Sequence, residues 1–81
     1  MLNIKILGGG CENCQRLAAL THEVVDALGL QAEFIKVTDH TEIMKYPILA
    51  TPGLVVNEQL VSAGRIPSKA EIEVWLKQAV H

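Results

Sequence analysis

Leu2, Ile4 and Ile6 alternate with Asn3 and Lys5, and Leu7 completes a short strand that runs into Gly8-Gly9-Gly10. The period then changes. Leu17, Leu20, Thr21, Val24 and Leu28 recur at steps of three and four while Arg16, Glu23 and Asp26 fall largely on the other side, which is the pattern of an amphipathic helix. Gly29 stands where a left-handed residue closes such a helix. Ala32 to Val37, with Phe34, Ile35 and Val37, returns to a strand pattern, and a connection through a helix implies that these two strands run parallel.

Asp39 and Glu42 have the spacing of a capping box ahead of a short helix, with Ile43, Met44 and Tyr46 on its apolar side and Pro47 beyond its end. From Gly53 the pattern becomes Leu54-Val55-Val56, then Asn57-Glu58, then Gln59-Leu60-Val61, two strands joined by a tight hairpin. Ser68 and Glu71 form a second capping box, opening a final helix whose stripe is Ile72, Trp75, Leu76 and Ala79, with Trp75 expected in the core. The predicted order is βαβαββα, an α/β arrangement. No linker, repeat or low-complexity stretch interrupts it, so a single domain over residues 1–81 is expected.

Composition excludes several classes of function. With 49% hydrophobic and 20% charged residues the chain is far from a disordered profile. The net charge is −2, and Lys5, Arg16, Lys36, Lys45, Arg65, Lys69 and Lys77 are scattered. One Phe, one Tyr and one Trp make no platform for stacking bases, so nucleic acid is not an expected partner. The sequence has no positively charged leader followed by an apolar run, and no stretch near the ~20 apolar residues of a membrane span. A soluble, cytoplasmic monomer with no membrane partner is the expectation.

Cys11 and Cys14 carry the candidate chemistry. A disulfide closing so short a loop stabilises a fold by only ~2 kcal/mol, so the pair is better suited to redox exchange or metal binding than to stapling. Cys11 follows a strand and three glycines and stands where a helix begins. Unpaired backbone N–H groups and the positive end of the helix dipole stabilise a thiolate there. Cys14, one turn further in, is suited to be the less exposed resolving thiol, while the Glu12 carboxylate opposes a second negative charge on Cys11. Thr51-Pro52 directly precedes the third strand, and taken alone is an ordinary strand opening.

The conjunction is more specific. Gly8-Gly9-Gly10-Cys11-Glu12-Asn13-Cys14, Tyr46-Pro47-Ile48-Leu49-Ala50-Thr51-Pro52-Gly53-Leu54-Val55-Val56-Asn57 and Ser62-Ala63-Gly64-Arg65-Ile66-Pro67-Ser68 together resemble the small thioredoxin-like redox-active disulfide proteins of archaea and bacteria, in the thioredoxin superfamily. The resemblance covers essentially the whole chain. It implies a thioredoxin-like fold: a four-stranded mixed sheet in the order 2-1-3-4 flanked by three helices, the first and third on one face and the second on the other. It also implies thiol–disulfide oxidoreductase activity, with Cys11 attacking a substrate disulfide and Cys14 resolving the mixed disulfide. Pro52 is then cis and packs beside the disulfide, and Thr51 offers backbone hydrogen bonds to substrate. No cofactor beyond the Cys11–Cys14 disulfide is expected. Partners would be protein or small-molecule disulfides and a separate reductase or thiol donor, since Gly8-Gly9-Gly10 lacks a nucleotide-binding fingerprint. Two departures set this chain apart: no Trp precedes Cys11, and Glu12-Asn13 stands where thioredoxin has Gly-Pro and glutaredoxin Pro-Tyr.

The main rival is a soft-metal carrier of the heavy-metal-associated type, which also sets C-x-x-C between a first strand and a first helix; two cysteines suit linear Cu(I). That fold runs βαββαβ and ends in a strand, whereas this pattern ends in a helix. His22, His40 and His81 lack the close pairing of a zinc motif and read as solvated side chains. The three glycines lack the Lys-Ser/Thr of a phosphate loop and read as flexibility beside the cysteines. A thiol-based sensor or an inactive scaffold that binds a partner is a third reading.

Overall fold

Alternation along the first strand carries straight into packing in the computed structural model, which describes residues 2–8, 12–48 and 50–80. In β1 (Leu2–Leu7), Leu2, Ile4 and Ile6 are buried on one face, Asn3 and Lys5 are half-buried on the other, and Leu7 is fully buried there. A strand buried on both faces belongs in the middle of a sheet. β2 (Ala32–Val37) lies parallel to it in register from Leu2 with Ala32 to Leu7 with Val37. β3 (Gly53–Val56) pairs antiparallel on the other side of β1, and β4 (Gln59–Ala63) pairs antiparallel with β3. The order is β2-β1-β3-β4, as the resemblance implies.

Two helices cover one face. Leu17, Val24 and Val25 of α1 (Glu12–Leu28) and Ile72 and Leu76 of α3 (Lys69–Ala79) pack with Leu2, Ile4, Ile6, Leu54 and Val56 into one cluster. Thr21 is fully buried in the α1 stripe with its hydroxyl donating to the Leu17 carbonyl at 2.8 Å, so that hydroxyl is not stranded. The helix closes in a Schellman motif, with the Gly29 N–H on the Asp26 carbonyl, the Leu30 N–H on the Val25 carbonyl, and Gly29 at φ +66°. The capping box of Ser68 and Glu71 opens α3, and Lys69 pairs with Glu23 of α1 at 2.5 Å.

The opposite face holds α2 (His40–Ile43) and a smaller cluster of Leu7, Ile43, Ile48 and Val55. Here the structure departs from the sequence pattern. Asp39 caps the helix by accepting from the Thr41 N–H at 2.9 Å, but α2 ends at Ile43. Lys45 and Tyr46 donate to the carbonyls three residues back, Glu42 and Ile43, which tightens the chain out of the α-helix. Tyr46 therefore leaves the helix and packs at the cluster's edge, and Met44 is 58% exposed instead of apolar-facing.

β4 and Trp75 also differ from the expected pattern. β4 extends past Val61 to Ala63, because a bulge lets Val55 face Leu60 and Leu54 face Ser62, leaving Val61 as the extra residue that breaks the alternation. Trp75 is only partly buried, packed against the edge of the larger cluster. The hairpin turn lies at Asn57-Glu58, both at positive φ (+49° and +68°). Its hold comes from β1: Asn57 donates its N–H to the Asn3 carbonyl at 2.7 Å, and its side-chain oxygen accepts from the Asn3 N–H at 2.9 Å.

Candidate active site

Three segments meet at the carboxyl end of β1: Gly8, the first turn of α1, and the residues before β3. Cys14 lies in that first turn and is 5% exposed. It is brought there by the same periodicity that buries Leu17 and Thr21, since positions 14, 17 and 21 share the inward face of the helix. Cys11, the predicted nucleophile, lies outside the described residues, as do Gly9, Gly10 and His81. Glu12 and Asn13 are exposed, and Arg16 reaches back to Glu12 at 3.7 Å along the helix surface.

Gly8 and Thr51 flank Cys14. A Cβ built on Gly8 would collide with Cys14 Sγ and would lie 3.8 Å from the Thr51 Cβ. Thr51 is exposed, Pro52 is buried, and the bond between them is cis. The Pro52 carbonyl accepts from the Gly64 N–H at 2.9 Å, which ties this segment to the end of β4. Gly64 itself is at φ +75°, where a side chain is disfavoured, and a Cβ there would sit 3.2 Å from the Ala50 Cβ.

Two hollows border these residues. A small cavity of about 60 Å³ lies behind Cys14, lined also by Ile6, Gly8, Gln15, Lys36 and Thr38. A shallower groove of about 290 Å³ runs past Thr51 between Ala50, Ile48 and the His40, Ile43 and Met44 side of α2. Lys36 and Thr38 were not singled out from sequence. Their signal was available, because they lie at the carboxyl end of a strand parallel to β1, beside Ile6, the register partner of Lys36.

The strongly perturbed groups are scaffold, not site. The bidentate Arg65 guanidinium, with the Ser68 backbone N–H, holds the Glu71 carboxyl down at about 2. On the other face Lys5 and Tyr46 both bond the Glu58 carboxylate and lower its pKa, while Glu58 and Tyr46 raise that of Lys5. Of the histidines, His22 is stacked on Phe34 with ring centroids 3.6 Å apart, and His40 lines the groove past Thr51. Among the described residues no three His, Cys, Asp or Glu side chains converge as a metal site would need.

A family profile described as a thioredoxin domain matches residues 2–77. The chain belongs to the thioredoxin family. A thioredoxin of Methanothermobacter thermautotrophicus is 42% identical to it over 73 residues, covering 90% of this chain and 95% of the relative. A thioredoxin of Methanocaldococcus jannaschii is 39% identical over 77 residues, covering 95% of this chain and 88% of that one. The solved structure of thioredoxin-2, a component of malaria parasite protein secretion machinery, matches 96% of this chain and 82% of its own with a TM-score of 0.70; at 12% identity that likeness shows the fold. Membership in the family makes this a protein of the thiol–disulfide oxidoreductase class. A helix between β2 and β3 also departs from the order of the metal-carrier fold, in which the second and third strands follow one another.

Proposed function

We propose that this thioredoxin-family chain is a small oxidoreductase that reduces or forms disulfides through a Cys11/Cys14 dithiol, with Thr51 and Pro52 receiving the substrate. The observation that carries the reading is the convergence of Cys14, Gly8 and Thr51 at one end of the sheet. In the reducing direction the Cys11 thiolate attacks a substrate disulfide, forming a Cys11–substrate disulfide and expelling one substrate sulfur as a thiolate that takes a proton from solvent. The Cys14 thiolate then attacks the Cys11 sulfur, the intramolecular disulfide forms, and the second substrate sulfur leaves with its electron pair. Two electrons pass to substrate, and a separate reductase or thiol donor restores the dithiol. The working compartment is the cytoplasm, whose reducing poise keeps such a dithiol charged; among the described residues no helix is long and apolar enough to cross a membrane.

The thiols act in sequence here, whereas a metal carrier needs both sulfurs at once. Cys14→Ser is therefore expected to accumulate covalently trapped partners in cells, seen as bands on non-reducing gels that vanish on reduction, and Cys11→Ser to trap few. Equal, negligible trapping by both variants, together with stoichiometric metal in the purified wild type, would overturn the reading in favour of soft-metal binding.

A further inference from the structure

Gly8 is held from behind. Its N–H donates to the Val37 carbonyl at 3.0 Å, so the backbone beyond β1 stays on the β2 ladder. Cys14 is held from the other side, because α1 is anchored through Leu17, Val24 and Val25 in the larger cluster. Between these two fixed elements the sulfur occupies the space that a side chain at residue 8 would take. A Cβ at Gly8 would collide with Cys14 Sγ, yet would lie 3.5 Å from Cys14 Cβ and 3.8 Å from Thr51 Cβ, both ordinary van der Waals contacts. Of these three contacts among the described residues, the sulfur's is the obstructed one.

Given the dithiol reading above, on which this inference rests, we propose that Gly8 is a positioning residue for the resolving thiol: its open Cα face is the slot that holds Cys14 Sγ beside the Thr51 segment. The step it serves is the second one, in which the Cys14–Cys11 S–S bond forms, the Cys11–substrate S–S bond breaks, and the substrate thiolate leaves with the electron pair. In-line attack on a disulfide is sensitive to where the nucleophile stands. A methyl group at position 8 turns the sulfur away, towards the small cavity lined by Ile6, Gln15, Lys36 and Thr38.

The test is the decay of the mixed disulfide. Reduced full-length protein is mixed with a synthetic two-chain peptide disulfide, quenched with acid at intervals, and the covalent adduct followed by mass spectrometry. In Gly8→Ala the adduct is expected to persist about tenfold longer or more, since misplacing a reacting group by about 1 Å can cost up to about a hundredfold. Val24→Ala, about three turns along the same helix, removes core packing without touching the sulfur, and its adduct should decay at close to the wild-type rate. An unchanged decay in Gly8→Ala overturns the proposal, and so does an equal slowing in Val24→Ala. Gly8→Ala also carries a backbone cost at φ +156°, so a denaturant cycle with Cys14→Ala separates the contact from the strain. That cost is common to both backgrounds and cancels. Removing the sulfur should recover part of the stability lost in Gly8→Ala, whereas strict additivity overturns the contact. No adduct at all in the wild type fails the dithiol reading itself, and with it the role of Gly8.

Discussion

The two faces of the sheet are covered by different means. On one, helices of 17 and 11 residues close over a cluster with eight members at 0% to 4% exposure: Leu2, Ile4 and Ile6 of β1, Leu54 and Val56 of β3, Leu17 of α1, and Ile72 and Leu76 of α3. On the other, a four-residue α2 contributes one buried side chain, Ile43, to a cluster whose remaining buried members are Leu7, Ile48 and Val55. Polar contacts take over where the helix stops: Lys5 bonds the Tyr46 hydroxyl at 3.0 Å and Glu58 at 2.7 Å, and Tyr46 donates to Glu58 at 3.1 Å. Apolar burial on the first face gives stability. The thinner second face leaves the groove beside Thr51 open, so the fold is most open where it has least core.

The largest break in this comparison comes from truncating one residue on each face. Leu17→Ala empties a fully buried site in the larger cluster and is expected to cost about 2–5 kcal/mol. Ile43→Ala, at 7% exposure beside an exposed Met44, should cost less, because the short α2 segment can settle into the space. Urea unfolding of both variants measures this. A cost for Ile43→Ala equal to that of Leu17→Ala would show that the two faces share the load evenly.

The same asymmetry decided what was legible in the sequence. The first face follows from period and punctuation: β2 begins and ends where the pattern places it, Gly29 closes α1, and Ser68 with Glu71 opens α3. These are local signals that neighbours along the chain determine. The second face depends on residues far apart in sequence. Pro47 is a local stop for the helix, but where the Tyr46 side chain goes is decided by Lys5 in β1 and Glu58 in the hairpin. Glu58 is a poor choice for a left-handed position on propensity, and it sits at φ +68° with its carboxylate held by those two partners. At the site, the periodicity that buries Leu17 also buries Cys14, whereas the fit of Cys14 Sγ against Gly8 required the assembled sheet.

A smaller effect sharpens the second face. Tyr46→Phe keeps the ring beside Lys5 and removes both hydroxyl hydrogen bonds, for an expected loss of about 1 kcal/mol. If the triangle acts as a unit, Tyr46→Phe and Glu58→Gln will be non-additive in a double-mutant cycle. Additive losses would mean that Lys5 bonds each partner independently. The hairpin turn is the place to look, since amide exchange at Asn57 and Glu58 should rise more than exchange in α1.

The smallest effect is one of pH, and it compares the two faces through one carboxylate each. Glu71, on the α3 side, has its pKa lowered to about 2 by Arg65 and the Ser68 N–H. Glu58, on the α2 side, is lowered by Lys5 and Tyr46. A carboxyl whose folded pKa lies below its unfolded value of about 4.3 binds fewer protons folded than unfolded. Its contribution is therefore present above about pH 4.3, and it is lost as pH falls through that value towards the folded pKa near 2. Wild-type unfolding midpoints should fall over this window. Glu71→Gln should flatten the fall more than Glu58→Gln, because the bidentate guanidinium and a backbone donor act together on one group. Both carboxylates face solvent, so added salt should shrink the difference. A steeper acid dependence in Glu71→Gln than in the wild type would reverse the sign and remove Glu71 as the acid-sensitive tie between the end of β4 and α3.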